Sequence, residues 1–244
     1  KIIENDLRDF RLGGAELPAS NKARFKQIQE ELSSLAAKFE ENLLDATNAF
    51  AWHIEDKALL RGVPEDVLAA AATEAKADGK SGWKLTLRMP CYFPVMQYAD
   101  DRTLREKLYH AYSTRASEFG EAKFDNTQII AALLKLRREE AQLLGYRSFA
   151  EVSLVPKMAQ SPEEVLNFLN DLAAKAKRFA ERDMQELRDF ARAELALESL
   201  QAWDIAYASE KLRAQRYAFS EQEVKQYFPE DIALSGMFRV IQTI

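Results

Sequence analysis

The sequence predicts a mainly α-helical protein of long antiparallel helices with one small β element made of two short strands. Glycine and proline, the residues that most often interrupt regular structure, number only 8 and 7 in 244 residues. Apolar residues recur at spacings of three and four in most of the long uninterrupted segments, which is typical of helices with one buried face. Only two short segments alternate apolar and polar residues with the period of a strand. With 47% hydrophobic and 30% charged residues, the chain has the composition of a globular protein that buries a core.

The first long helix is predicted between residue 21 and about residue 45. Its apolar side chains follow one another at intervals of three or four residues, so they form one stripe along one helix face. Lysine, glutamate and glutamine residues fill the opposite face, which we expect to meet water. The residues of the stripe are Phe25, Ile28, Leu32, Leu35, Phe39 and Leu43.

Two segments after this helix change to a period of two. In the first, Phe50, Trp52 and Ile54 alternate with Ala51 and His53. Aromatic and branched residues in this pattern predict two short strands, each with one buried face, and the two strands can pair with each other. Between them lies a predicted helix, which a proline opens at residue 64 and an Asp-Gly pair closes at residues 78–79. The buried positions of the second strand are Trp83, Leu85, Leu87 and Met89.

The chain from residue 100 onward is predicted to be helical. Asp100 or Asp101 can cap the first of these helices. Ser161 starts a long helix, and Glu164 can reach back to this capping serine. Ser220 repeats the same start signal near the end of the chain. The apolar residues of the three longer helices are Leu104, Leu108 and Tyr112; Ile129, Leu133 and Leu136; and Val165, Leu169, Leu172, Ala176, Phe179, Leu187 and Phe190.

Charge and hydropathy argue against two classes of partner. The net charge is −5 and basic residues are dispersed, so we expect no nucleic-acid partner. Apolar runs fall far short of the roughly 20 residues of a membrane span, so we expect no membrane partner either. The single cysteine, Cys91, suits a reducing compartment and is either a reactive thiol or a small buried residue. The chain opens without methionine and closes on an apolar helix-like run, so we expect an excerpt from a longer protein.

The sequence offers no convincing metal site. His53 and His110 are the two histidines, and neither has a second histidine or a cysteine within four positions, as a zinc site on one helix requires. Glu106 shares a helix face with His110, but one carboxylate and one imidazole do not make a site. We therefore predict that His110 is a partly buried helix residue and that His53 lies on the polar face of a strand.

Other catalytic patterns are missing as well. No G-x-S-x-G is present, and Cys91 has no placed histidine. The glycines at 13–14 and at 79 and 82 lack the Gly-rich spacing and the following Lys-Ser/Thr of a phosphate loop. The acid pairs at 139–140 and 163–164 diverge by about 100° around a helix, so we expect solvated surface, or helix-start charge for the second pair. We expect no catalytic and no metal-binding residues in this chain.

Aromatic residues are denser in two places than elsewhere, and two interpretations stay open. They form a wall that contacts peptides, since aromatic rings bury area at low entropy cost, or they pack the core where a strand meets helices. The residues are Tyr92, Phe93 and Tyr98, and Trp203, Tyr207 and Tyr217.

Several motifs, in order along the chain, resemble the zinc oligopeptidase family, whose members include oligopeptidase A and thimet oligopeptidase. Residues 85–105 and 111–116 are similar to one stretch of that family, and residues 6–18 and 42–47 are similar to the lead-in of the oligopeptidase A branch. Residues 202–211 resemble its Trp-Asp-x-x-Tyr-Tyr segment, with Ala208 in place of the second tyrosine, a change that could thin a packing contact. Residues 223–229 fit its Tyr-Phe-Pro ending. The resemblance covers essentially the whole chain and is closer to oligopeptidase A.

The resemblance implies part of one or both lobes of a prolate two-lobed peptidase around a deep channel. In that family zinc is bound by the two histidines of H-E-x-x-H and a later glutamate, and none of these can be matched to a residue here. It therefore implies a zinc-dependent metallo-oligopeptidase parent that hydrolyses short peptides in the cytoplasm. Residues 1–244 would be its non-catalytic helical portion, inactive alone and without a metal of its own. The rest of the parent chain would pack against it.

The same resemblance suggests where the chain would pass between lobes. We predict a crossing near residues 99–101, which divides residues 1–99, with the first helix and the strands, from the helical residues 100–244. The alternative is an autonomous helical interaction module without enzymatic activity, in which exposed apolar stripes bind a partner helix.

Overall fold

The computed structural model describes residues 1–218 and 221–244 and confirms a mainly α-helical fold with one small β element. The strands are β1 (Trp52–Ile54) and β2 (Trp83–Leu85), and short 3₁₀ turns occupy Lys57–Leu60, Ala122–Phe124 and Ala202–Asp204. The helices are α1 (Ile2–Leu12), α2 (Ala19–Ala49), α3 (Glu65–Ala77), α4 (Met89–Tyr98), α5 (Arg102–Thr114), α6 (Thr127–Leu143), α7 (Phe149–Leu154), α8 (Pro162–Leu195), α9 (Ile205–Tyr217), α10 (Glu221–Lys225) and α11 (Glu230–Thr243).

The chain forms two units. Unit 1 consists of Lys1–Ala49 and Thr114–Glu181, and unit 2 of Phe50–Ser113 and Arg182–Ile244. Residues 99–101, where we predict a crossing between the lobes of a longer protein, lie within unit 2. That crossing concerns the longer protein and stays a prediction. No helix in the described ranges is long and apolar enough to cross a membrane.

The two strands pair with each other, as their sequence pattern allows. They form a two-stranded antiparallel sheet, which keeps the apolar positions of both strands on the same face. Its register places Trp52 opposite Leu85, His53 opposite Lys84 and Ile54 opposite Trp83.

The second strand is shorter than the alternation predicts. β2 ends at Leu85, and Met89 is the first residue of α4 with 51% of its surface exposed, so its predicted place on a buried strand face is wrong. Pro90 lies in the first turn of α4, where a missing N–H donor costs nothing. The N–H of Thr86 donates to Sγ of Cys91 at 3.4 Å rather than to a neighbouring strand. The last position of the predicted strand therefore belongs to α4 instead of β2.

The main hydrophobic core lies in unit 2. Residues of the sheet, α3, α4 and α5 are buried together, which removes their apolar surface from water. The aromatic rings of Tyr92 and Tyr112 stack within this core with centroids 4.0 Å apart. The most deeply buried members are Leu60, Leu85, Leu87, Val95, Ala99, Leu104 and Leu108.

In unit 1, α2 packs against α6 through the start of its predicted stripe and through polar pairs. Phe25 and Ile28 are buried, whereas the later members of the stripe are only half-buried. Further along the helix, the buried side chain of Asn42 donates to Oδ1 of Asn126 at 2.9 Å. The amide of Asn126 in turn donates to the carbonyl of Phe39 at 3.1 Å. These bonds satisfy buried amides that would otherwise be costly.

The acid pair Glu139 and Glu140 belongs to the same contact, so its prediction as solvated surface is wrong. Nε and Nη2 of Arg24 each donate to Glu139 at 2.6 Å, which is the bidentate geometry that guanidinium and carboxylate favour. Glu140 is buried and accepts from Nε2 of Gln29 at 2.8 Å. Because neighbouring residues diverge around a helix, the two acids reach different partners on α2.

Helix starts mostly follow the predicted caps. Asp101, rather than Asp100, caps α5, since its Oδ1 accepts the N–H of Leu104 at 2.7 Å. Oγ of Ser161 accepts the N–H of Glu164 at 3.1 Å, as predicted for α8. The carboxylate of Glu164 instead binds the N–H of residue 160, one position before the cap. The start signal predicted at Ser220 lies outside the described residues.

The long helix α8 is buried along only part of its apolar stripe. Leu187 and Ala191 of its unit 2 portion are buried and form a small cluster with Ala208 of α9. Leu169, Leu172 and Phe179, in its unit 1 portion, have about half of their surface exposed. The predicted stripe is therefore not a uniformly buried face, although its spacing is that of a core-facing helix.

Candidate functional site

His53 lies in an ion-pair cluster on the polar face of the sheet, as predicted. Its Nε2 is 3.4 Å from Oδ2 of Asp78, and Nζ of Lys84 is 2.9 Å from the same oxygen. Lys84 lowers the pKa of Asp78, mainly through this hydrogen bond. The carboxylate beside the imidazole therefore already has a cationic partner.

His110 is exposed on α5, so the prediction of a partly buried residue is wrong. It lies two positions after buried Leu108, which turns it about 200° away from the core face of the helix. Its ring lies beside that of Trp203, with centroids 5.5 Å apart, and beside that of Tyr109 at 6.2 Å. Its ring contacts are therefore aromatic, and among the described residues His110 belongs to no group of three or more potential metal ligands.

The residues present do not fit the zinc that the family resemblance implies. The described part of the chain holds no group of three or more histidine, cysteine, aspartate or glutamate side chains that could hold a metal ion. A cation at His53 would face the ammonium group of Lys84. Sγ of Cys91 accepts the N–H of Thr86, and Cys91 belongs to no such group among the described residues.

A cavity of about 500 Å³ in unit 2 is the candidate binding site. It lies between α4 and α9, and Tyr109 of α5 also lines it. Of the aromatic residues singled out in the sequence, Tyr92 and Phe93 line this cavity, and Tyr98 donates to its lining residue Glu210. The others are Trp203, which contacts the rings of Tyr109 and His110, Tyr207, which donates to Asp100, and Tyr217, which is exposed. The size of the cavity is that of a typical ligand pocket, about 300–1,000 Å³. The apolar lining residues include Phe93, Met96, Ile205 and Ala206.

The charged side chains that line the cavity are paired with each other. Glu210 is buried and accepts a hydrogen bond from Oη of Tyr98 at 2.9 Å. Arg213, one turn further along α9, also donates to this carboxylate. The pairing leaves no net charge on the cavity lining, because each ion has an opposite partner.

A buried ionic network fixes the start of α9 next to α5. Asp204 and Arg105 have 0% and 1% of their surface exposed, and Nη2 of Arg105 donates to Oδ1 of Asp204 at 2.9 Å. Nη2 of Arg102 donates to Oδ2 of Asp204 at 2.7 Å, and the N–H of Gln201 donates to it at 3.0 Å. Burial opposes ionisation of Asp204, but these hydrogen bonds outweigh it and hold its pKa below the ordinary value.

A second acid, Asp100, extends this network toward the rest of α9. Oη of Tyr207 donates to its Oδ1 at 3.0 Å, and Nε of Arg61 donates to its Oδ2 at 2.9 Å. The guanidinium of Arg105 lies 4.0 Å above the ring of Tyr207, in cation–π geometry. Burial, and then the bond to Asp100, raise the pKa of Tyr207 to about 12.

Raising the pH into the alkaline range is expected to destabilise unit 2 through Tyr207. The folded pKa of about 12 lies above the ordinary value of about 10, so the native state holds this proton more tightly than the unfolded state. The contribution of Tyr207 is therefore fully present below about pH 10, and it is lost as the pH rises toward about 12. Urea unfolding followed by tryptophan emission, at steps of pH, measures this loss.

Two variants isolate the contribution of this phenol. Tyr207→Phe should show a shallower alkaline decline in the free energy of unfolding, because the titrating group is gone. Tyr227→Phe removes an exposed tyrosine of the same unit and should keep the wild-type decline. An unchanged decline in Tyr207→Phe would contradict the assignment.

The sequence reasoning missed the groups that matter most here. Arg105 lies on the buried face of its helix, together with Leu104 and Leu108. A charged residue on a buried face signals a buried ion pair. Asp204 and Glu210 lie in the Trp-Asp-x-x-Tyr-Tyr-like segment, but only the fold brings them to their partners on α4 and α5. The cavity lining is mostly apolar, and its carboxylate, Glu210, is already bound by Tyr98 and Arg213, so this site is suited to binding apolar groups.

Comparisons with known proteins agree on one family. The model of Peptidase family M3 matches residues 95–244. Oligopeptidase A of Salmonella typhimurium is 46% identical to this chain, and oligopeptidase A of Escherichia coli is 45% identical, each over 100% of the chain and 36% of the relative. A probable cytosolic oligopeptidase A of Arabidopsis thaliana is 38% identical, also over 100% of the chain and 36% of the relative. The chain thus spans about a third of the length of these relatives.

Proposed function

The chain belongs to Peptidase family M3, and from this we propose that it is the non-catalytic portion of a longer zinc-dependent oligopeptidase that hydrolyses short peptides. In this proposal residues 1–244 form part of the helical wall of the substrate channel and are inactive alone. One observation carries it: proteins named oligopeptidase A match the chain from end to end, yet the chain spans only 36% of their length. A cytoplasmic location is proposed on the same family resemblance.

The chemistry of the described residues supports a structural role for this portion. The imidazoles of His53 and His110 lie in an ion-pair cluster and in an aromatic cluster, and neither belongs to a metal-binding group. The zinc of the parent would therefore be held by residues outside this chain. When bound there, the metal would polarise the peptide carbonyl and activate water. The residues of this chain would contribute shape and rigidity, through helices and the buried network at Asp204.

A side-by-side assay of the 244-residue chain and its full-length parent tests the proposal. Both are titrated with zinc and given a quenched fluorescent peptide, and a sample of the parent treated with a chelator serves as control. We expect turnover by the parent only, and loss of that turnover in the chelator. Turnover by the isolated chain would show that a site exists within residues 1–244. A parent without peptidase activity would refute the oligopeptidase assignment.

Exposed apolar residues favour a second candidate, an autonomous helical interaction module. Leu172 on α8, and Phe238 and Ile241 on α11, are each about half or more exposed on their helices. On each helix taken by itself, exposed apolar side chains of this kind are typical of a surface that contacts another protein segment. A monomeric chain that melts sharply and binds no apolar dye would favour the self-sufficient module. Dimerisation or a loose core would instead indicate surface that the parent covers.

A further inference from the structure

The cavity between α4 and α9 has walls suited to apolar side chains. Phe93 and Met96, one turn apart on α4, face Ile205 and Ala206 of α9 across it. Met96 is buried, whereas Phe93 keeps 43% of its surface exposed, so the apolar lining continues out to the surface of unit 2. An aromatic ring half exposed at the edge of such a cavity gains most from further apolar cover.

The charged groups of the cavity argue against a charged occupant. The buried carboxylate of Glu210 is already bound by Tyr98 and by Arg213. A charged ligand would have to break this pairing, which is costly for buried ions. A peptide recognised through its main chain needs a row of available donors and acceptors, as at a sheet edge, and helices α4 and α9 do not present one.

We infer that this cavity receives apolar side chains from a segment of the parent polypeptide outside residues 1–244. The inference rests on the proposed function, that the chain is part of a longer peptidase. The length of the relatives supports a segment of the parent as the occupant. Close to two-thirds of the length of each relative lies outside the part that this chain matches. The cavity is thus an internal docking site, and the peptide substrate does not enter it.

Thiol labelling of the full-length parent tests the inference. In a Cys91→Ser background, Ser209→Cys places a thiol on the cavity wall, and Ser81→Cys places the same thiol on an exposed turn of unit 2. The rate of reaction with a small maleimide is measured with and without saturating peptide. Each rate is divided by the rate for the same variant unfolded in urea, which removes differences in intrinsic reactivity.

In the folded parent without peptide, we expect Ser209→Cys to react at least about tenfold more slowly than Ser81→Cys, because only local opening would expose it. Equal rates for the two thiols would overturn the inference. A cysteine at 209 that reacts freely, but becomes protected when peptide is added, would also overturn it and would assign the cavity to substrate.

Two controls keep these outcomes interpretable. Ala206→Cys, at a second position on the cavity wall, repeats the measurement if the change at 209 disturbs folding. Peptidase activity of each labelled parent is measured in parallel. An active parent with a freely reacting wall thiol refutes only this inference, whereas a parent inactive before any substitution refutes the proposed function.

Discussion

Replacing Asp204 with alanine is expected to destabilise unit 2 by about 3–5 kcal/mol, because it leaves a buried guanidinium without its partner. Arg105 is 1% exposed and donates to Asp204 at 2.9 Å, so the variant would strand this charge in the core. The N–H of Gln201 would lose its acceptor at the same time. The carbonyl of Ala99, which accepts from Arg105 at 2.7 Å, satisfies the guanidinium only in part.

The tryptophans make this prediction straightforward to measure. The chain has 3 tryptophans, and Trp52, Trp83 and Trp203 all lie in unit 2, so their emission during urea denaturation reports the unfolding of that unit. Asp189→Ala is the matched control, because Asp189 is an exposed acid of α8 in the same unit. Its effect is expected to stay within about 0.5 kcal/mol. Equal shifts for the two variants would contradict a stabilising role of the buried pair.

The pH dependence of unfolding gives an independent test of the stabilisation by Asp204. Because the folded pKa of Asp204 is lowered, its ionised form stabilises the native state above the ordinary carboxyl pKa of about 4. That stabilisation is lost as the pH falls through the folded value. Asp204→Asn keeps the size of the side chain but cannot ionise. The difference in unfolding free energy between wild type and Asp204→Asn should therefore be largest near neutral pH and shrink in acid.

The local patterns of the sequence were sufficient for most of the fold. The stripe from Phe25 onward predicted α2, and alternation around Trp52 and Trp83 predicted the two strands and allowed their pairing. These predictions rest on the periodicity of single elements, which the fold preserves. They erred at the end of β2, where the proline at the start of α4 outweighs the alternation.

Local sequence patterns cannot predict interactions between residues that are far apart in the sequence. Arg105 and Asp204 are 99 positions apart, and Arg24 and Glu139 are 115 apart, so no local pattern joins them. A local pattern can also predict burial that the structure does not show. Leu169 and Leu172 of α8 have the spacing of a core face, yet about half of their surface is exposed. Periodicity identifies the face that needs cover, but the partner that covers it is set by tertiary structure. The cavity at Phe93 follows from the fold for the same reason.

Replacing Gly62 with alanine is expected to destabilise unit 2 by at least about 4 kcal/mol, which marks a change that the native backbone cannot absorb. Gly62 has φ of +90°, and a Cβ at this position would lie 2.2 Å from the carbonyl oxygen of Tyr98. The obstacle is backbone at the end of α4, and it is held in place because the N–H of Asp100 donates to the carbonyl of Arg61 at 2.8 Å. No change of rotamer can relieve such a contact.

Gly79→Ala separates this steric clash from backbone strain. Gly79 also has a positive φ, of +70°, but a Cβ there would meet nothing within 4 Å. Gly79→Ala should therefore lower the free energy of unfolding only by the cost of placing an alanine in the left-handed conformation, about 1–2 kcal/mol. Both glycines lie in unit 2, so the same tryptophan emission measures both variants. Equal losses would mean that the turn at Gly62 moves away from α4, whereas a much larger loss for Gly62→Ala locates the constraint in the close approach of two backbone segments. Residue type alone does not distinguish the two glycines, and only their neighbours in the fold do.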